Sequence, residues 1–337
     1  MKVGMYTDSL QDLDFAGVLD WAVEQGLDAL EIGTGNFSSS PHCALDELAA
    51  SAEARARFKG AFEERGLLLS ALNCNGNLLD PHPERGPRSQ AVFFKTIEVA
   101  SQIGLDTVVT MSGCPGDLNG GTYPNWVTCN WQPEFYELFQ RQWDEVITPF
   151  WKKAGQFAAD HGVKVAIEMH PGQSVYNTRS LLRLREAGGR AVGANLDPSH
   201  LFYQGMDPLA VIRALGKGFI YHVHAKDTRL DPYEIAINGG LDPYPMTRFE
   251  ERTWVYRTLG YGHDIKWWCD FVSALRLAGY DGVLSIEHED RLMSSREGIY
   301  KSIRLLKQVV WDAPAEDWVP YTRGGTHCAK IRCASCC

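Results

Sequence analysis

Eight short apolar runs punctuate the chain: KVGMY, ALEIG, LLLSALN, TVVTM, VKVAIEM, VGANLD, FIYHVHA and GVLSIE. Their length and apolar content fit strands buried in a parallel sheet. Between them lie amphipathic segments that predict helices, among them Phe15 to Gln25, Ala44 to Arg65, Ser89 to Ile103, Glu134 to His161 and Ile265 to Ala278. Gly26, Gly66, Gly104, Gly162 and Gly279 follow these or similar segments, where a glycine ends a helix before the next strand. Strand and helix alternate through the whole pattern, which predicts an α/β fold, a closed (β/α)8 barrel.

Two connections are too long for simple turns. One runs from Ser112 to about Gln132, after the fourth strand, and the other from Asp227 to about Asp264, after the seventh. Both follow strands, so both fall on the rim where barrels of this kind carry their chemistry. Lids are the expectation, with plain surface insertions as the alternative. The first carries Tyr123, Trp126 and Trp131 interleaved with Asn119, Asn125 and Asn130. Aromatic faces pack on the C–H side of a sugar ring while amides bond its hydroxyls, so Trp126 is a candidate substrate contact; anchoring the loop is its other reading.

The chain has 337 residues, 45% of them hydrophobic and 22% charged, as in ordinary globular enzymes. No apolar run approaches the ~18 residues of a membrane span, and the first residues lack the features of a secretory signal, so a cytoplasmic protein is expected. A net charge of −9 argues against a nucleic-acid partner. Residues 1–310 are read as one catalytic barrel and 311–337 as a C-terminal extension. That extension holds Cys328, Cys333, Cys336 and Cys337 beside His327, without a second ligand pair at finger-like spacing, and is predicted to be disordered at its end.

Four strand ends share a chemistry: Glu168 in VAIEMH, Asp197 in GANLDPSH, His224 in YHVHAKD and Glu287 in LSIEHED. Glu168, Asp197 and His224 are spaced by roughly 30 residues, the length of one βα unit, so a barrel aims them into one mouth. Strand alternation puts Ala166, Asn195, His222 and Ser285 on the same faces one step below. Three carboxylates and one imidazole make an oxygen-rich metal site, for which Mn²⁺ is the expected ion, with Mg²⁺ and Co²⁺ as alternatives. A salt-bridged core is the competing account; it needs compensating cations, and Lys226 and Arg229 are nearest in sequence.

EMHPG at Glu168, DPSH at Asp197, HVHAKD at His222 and SIEHED at Ser285 resemble the sugar phosphate isomerase/epimerase family, the xylose isomerase-like TIM barrels. The likeness extends from the first strand to about Leu306. It implies Glu168, Asp197, His224 and Glu287 as ligands of one divalent ion, with Glu168 and Glu287 also the acid/base pair. The implied activity is isomerisation or epimerisation of a small sugar, keto sugar or cyclitol by proton transfer beside a carbonyl. His200, three residues after Asp197, resembles the family's substrate histidine, and a homo-oligomer is a further expectation. His170, Arg229 and His263 are additional candidate substrate contacts, each with a structural alternative. His222 is expected to be a core histidine or one that orients the site, and Glu31 to line the mouth.

Departures from the ketohexose 3-epimerase pattern are also visible. Ser174 stands where those enzymes carry a further glutamate, and Leu230 where they carry an arginine. A lyase or dehydratase acting on 3-keto sugars, their glycosides or inososes is therefore the alternative activity. An endonuclease IV-like nuclease lacks its extra histidines here, and a non-catalytic sugar-binding barrel is a third class. Gly33-Thr-Gly35 is only a fragment of a dinucleotide motif, so NAD is not expected.

Overall fold

A computed structural model describes residues 1–129 and 131–311. The cysteine-rich end and Asn130 lie outside the described residues. Eight parallel strands close into a barrel: β1 (Lys2–Tyr6), β2 (Ala29–Gly33), β3 (Leu68–Asn73), β4 (Thr107–Met111), β5 (Lys164–Glu168), β6 (Val192–Leu196), β7 (Ile220–Ala225) and a last strand, Val283–Ile286. Two further strands, β8 (Asp227–Leu230) and β9 (Trp254–Arg257), pair antiparallel outside the barrel, so the closing strand is β10. It bonds to both β1 and β7. The predicted runs all became barrel strands.

Helices form the outer ring and bury their apolar stripes against the sheet. Phe15–Glu24 starts at Asp14, whose carboxylate accepts from the Gly17 N–H, and Thr178–Gly188 starts with a reciprocal capping box between Asn177 and Ser180. Ring packing around Phe93, Trp151 and Phe150 joins two helices on one side of the core. Elsewhere two helices nearly touch at their backbones: a Cβ on Gly155 would lie 1.9 Å from the Gly188 carbonyl oxygen. No helix among the described residues is long and apolar enough to cross a membrane.

Two expectations change. The segment Ala44 to Arg65 is two helices, Leu45–Ala50 and Ala52–Glu63, because Ser51 is extended (φ −127°, ψ 119°) and caps the second with its hydroxyl. The segment Glu134 to His161 runs as Pro133–Arg141 and Thr148–Asp160, joined by a wider π turn over Gln142–Ile147. The second insertion has regular structure of its own. Besides the β8–β9 ribbon it holds a helix at Pro232–Asn238.

Candidate metal centre

Each of the four acidic or imidazole side chains stands where a barrel strand ends. Glu168 is the last residue of β5, Asp197 follows β6, His224 is the penultimate residue of β7 and Glu287 follows β10. One donor atom from each lies within 4.8 Å of the others. Glu168, Asp197 and His224 are fully buried, and Glu287 nearly so.

Glu31 fixes how His224 enters this group. Its carboxylate, wholly buried on β2, lies 3.0 Å from Nε2 of His224 and 2.8 Å from Nε2 of His222, and accepts from Ser285 Oγ at 2.7 Å and Asn73 Nδ2 at 2.7 Å. Burial alone would raise the Glu31 pKa, but the two imidazoles outweigh it and hold the carboxyl well below the usual range. An ionised Glu31 takes the proton-bearing Nε2 side of His224, which leaves Nδ1 as the lone-pair side. Nδ1 sits 3.1 Å from Glu168 Oε2 and 3.1 Å from Glu287 Oε2. The step below the mouth is thus a polar network around Glu31.

The carboxylates are held in turn. Asn75 and Asn195 donate to Glu168 Oε2 at 3.0 and 3.1 Å, and Asp197 Oδ1 accepts from the Ser199 N–H at 2.8 Å. His200 Nε2 lies 3.2 Å from Glu168 Oε1 and 3.1 Å from Asp197 Oδ2, with Tyr256 Oη 3.1 Å from its other nitrogen. Burial opposes its charge, yet the adjacent carboxylates push its pKa up to about 9. Glu287 goes the other way from Glu168: burial raises it despite Lys226 and His224, whereas imidazole contacts lower Glu168. Lys226, also buried, lies 3.1 Å from Glu287 Oε2 and 2.8 Å from Glu289 Oε2, over the Tyr256 ring.

The remaining candidates divide. His170 stacks obliquely 4.1 Å from His200, and burial brings its pKa down to about 4, so it is neutral. His170 and Trp126 both line a cavity of about 550 Å³ beside the centre. Tyr123 and Trp131, the other aromatics of that insertion, are largely exposed. Arg229 is not brought to this cavity: along β8, Asp227 and Thr228 are buried and Arg229 is exposed. The guanidinium in the lining belongs to Arg252, which the sequence reading did not single out. His263 is likewise outside the lining. Its Nδ1 lies 2.8 Å from Asp227 Oδ1 and its ring stacks on Phe202, which fits a role in holding the loop.

A profile of the family described as xylose isomerase-like TIM barrel matches residues 19–309. The chain belongs to that family. It is also similar to the uncharacterized protein YfiH of Bacillus subtilis strain 168, 43% identical over 313 residues, covering 92% of this chain and 99% of the relative. Among solved structures, the IOLI protein with a bound zinc atom superposes with a TM-score of 0.62 at 19% identity, covering 92% of this chain and 98% of that one. The probable 3-DHS dehydratase AsbF of Bacillus anthracis gives a TM-score of 0.62 at 18% identity, with 91% and 99% covered. At such identities these two likenesses speak for the shared barrel.

The donor set fits a cation in this xylose isomerase-like chain. Buried Asp197 Oδ2 and His224 Nδ1 make no well-aligned hydrogen bond among the described residues, although His200 Nε2 approaches the first at 3.1 Å and two glutamate oxygens approach the second at 3.1 Å. A buried polar atom without a partner is costly, and a shared cation removes that cost for several atoms together.

Proposed function

We propose that this protein is a divalent-metal-dependent isomerase or epimerase of a small sugar, keto sugar or cyclitol. Glu168, Asp197, His224 and Glu287 would hold the ion, and their oxygen-rich composition favours Mn²⁺. The observation that carries the reading is the convergence of four donor atoms, one each from Glu168, Asp197, His224 and Glu287, within 4.8 Å of one another at the ends of the barrel strands. Bound there, a divalent ion supplies the positive charge that makes a proton beside a carbonyl removable.

The chain's own groups supply the rest. Glu168 and Glu287 flank His224 Nδ1 from two sides, so one can take the carbon-bound proton and the other return it on the opposite face. His200, braced by Tyr256, presents an N–H toward the same place for a substrate oxygen. His170 and Trp126 face the substrate from the adjoining cavity.

A lyase or dehydratase is the second reading, and the buried Lys226 ammonium favours it. Beside Glu287, it can stabilise negative charge as a β-oxygen leaves. The first step is the same: the glutamate takes the proton, the carbon–oxygen bond breaks, and the departing oxygen takes up that proton as an alcohol or water.

Incubating the Mn²⁺-loaded protein in D₂O with ketoses, inososes and 3-keto glucosides tests both. Deuterium appearing at the carbon beside the carbonyl, abolished by Glu168→Gln and by Glu287→Gln, supports the isomerase, and an unsaturated ketone supports the lyase. A protein that binds Mn²⁺ yet shows neither across the panel is not an enzyme of this type.

A further inference from the structure

The cavity of about 550 Å³ beside the centre carries a charge that its walls do not balance. Arg252, in the lining and 5% exposed, lays its guanidinium 4.5 Å over the Trp254 ring. Nε donates to the Trp254 carbonyl at 3.2 Å and Nη1 to the Tyr244 carbonyl, so the head group is fixed in place. Nη2 donates to nothing among the described residues, and it is not one of the side-chain atoms closed off from solvent. Its N–H groups are left for a ligand.

A buried cation is costly unless a counter-ion joins it. Lys226, which lies over Tyr256, has two: Glu287 at 3.1 Å and Glu289 at 2.8 Å. Arg252 has no carboxylate within salt-bridge reach among the described residues. Of the acids in the lining, Glu289 is taken by Lys226, and half-buried Asp242 acts on Arg252 only through space. Burial lowers the Arg252 pKa more than Asp242 raises it, yet a guanidinium stays charged at neutral pH. One positive charge is left over, in a space of a size that holds an organic ligand.

We infer that this cavity holds the carboxylate of an acidic sugar or cyclitol whose ring occupies the metal centre, with Arg252 as its counter-ion. The inference rests on the proposed function for where the ring sits, and it narrows the substrate class from neutral polyols to monoanions. Cavity and centre share a wall: His170 of the lining lies against His200, and Tyr256 Oη of the lining is 3.1 Å from His200 Nδ1. A guanidinium edge suits a carboxylate, and a single unbalanced charge matches a monoanion. A phosphate monoester, at about −2, would need a second cation. The lining offers none among the described residues, since His170, its other basic side chain, is neutral.

Calorimetric titration of the Mn²⁺-loaded full chain tests it, comparing D-glucuronate with D-glucuronamide and D-galacturonate with D-galacturonamide, pairs that differ in charge at one position. A hydrogen bond to a charged group outweighs a neutral one, so each acid is expected to bind about tenfold tighter than its amide, or better. Arg252→Gln is expected to erase that preference. Leu241→Glu, which adds a negative charge at an exposed position of the lining, is expected to reduce it several-fold and serves if the first variant does not fold. Equal binding of acid and amide overturns the inference. So does a preference that persists unchanged in a folded variant of either kind, because the metal rather than the cavity would then supply it. D-glucose 6-phosphate is the remaining probe, and tighter binding of this ester than of the acids overturns the carboxylate assignment. Failure of the proposed function reads differently, as absence of Mn²⁺ binding or of deuterium exchange, whatever the ratio of affinities.

Discussion

Glu31 Oε1 lies 3.0 Å from His224 Nε2, on the edge of the ring opposite the nitrogen that faces Glu168 and Glu287. A carboxylate in this position decides which nitrogen carries the proton. Glu31→Gln replaces one acceptor oxygen with an N–H group, which conflicts with the imidazole N–H groups of His222 and His224. The expected outcome is roughly a 10- to 100-fold weaker affinity for Mn²⁺, with little change in far-ultraviolet circular dichroism. Titration of the chelator-treated protein measures it. Unchanged affinity means that Glu31 does not orient the ligand.

Asp197 allows a separate check on the cluster. Its Oδ2 lies 3.1 Å from His200 Nε2 without a well-aligned hydrogen bond among the described residues, while its Oδ1 accepts from the Ser199 N–H. Asp197→Asn keeps the Oδ1 contact and removes one negative charge from a buried group of like charges. Burial opposes this charge, but His200 and Lys226 outweigh it and hold the Asp197 pKa below the ordinary carboxylate value, so without metal the variant is expected to melt at a lower temperature than the parent. Mn²⁺ at 100 times the dissociation constant stabilises a protein by about 2.7 kcal/mol, so the parent should gain several degrees and the variant little. Thermal melts with and without Mn²⁺ decide it, and an equal gain in both would exclude Asp197 as a ligand.

How far the sequence reached depended on the range of each signal. Buried barrel strands announce themselves locally, so all eight were legible; the repeat length carried Glu168, Asp197 and His224 to one rim, and the end of the last strand carried Glu287 there. Glu31 was legible as a residue of the mouth, but its bonds to His222, His224 and Ser285 span most of the chain and leave no local trace. Arg229 and Arg252 show the limit from the other side. Alternation in the short run WVYR could have placed Trp254 and Tyr256 on one face; nothing local told which arginine turns inward. The break at Ser51 was missed because helical periodicity continues across a serine that serves as a cap.

Gly155 tests the packing of the outer ring. A Cβ there would collide with the Gly188 carbonyl carbon at 2.6 Å as well as its oxygen, and backbone cannot swing aside as a side-chain tip can. Gly155→Ala is expected to cost roughly 3 kcal/mol, the upper end for overpacking, despite alanine's better helix propensity. Gly60, whose Cβ would meet nothing within 4 Å, is the control: Gly60→Ala in the helix Ala52–Glu63 should stabilise by about 0.5–1 kcal/mol. Urea denaturation of the two variants compares them. Similar stabilities would show that the two backbones do not meet as described.

Asp290 ties the end of β10 to the second insertion and makes stability depend on pH. Its Oδ2 accepts from the Thr258 N–H at 2.8 Å and Arg257 Nε at 3.1 Å, and its Oδ1 from the Leu292 N–H at 2.8 Å. Burial disfavours the charge, but these donors outweigh it and the pKa falls below the ordinary carboxylate value. The folded state therefore binds this proton less readily than the unfolded chain, whose aspartates titrate near ~3.9. The contribution to stability is complete above that value and is lost as pH falls through the lower, folded pKa. Asp290→Asn removes the titration and some of the bonding, so at pH 7 it should cost about 2 kcal/mol, in line with hydrogen bonds to a charged group. Urea midpoints of both proteins across the acid range should converge below about pH 4, because other carboxylates cancel in the difference. A gap that stays constant with pH would mean that Asp290 is not held as a buried anion.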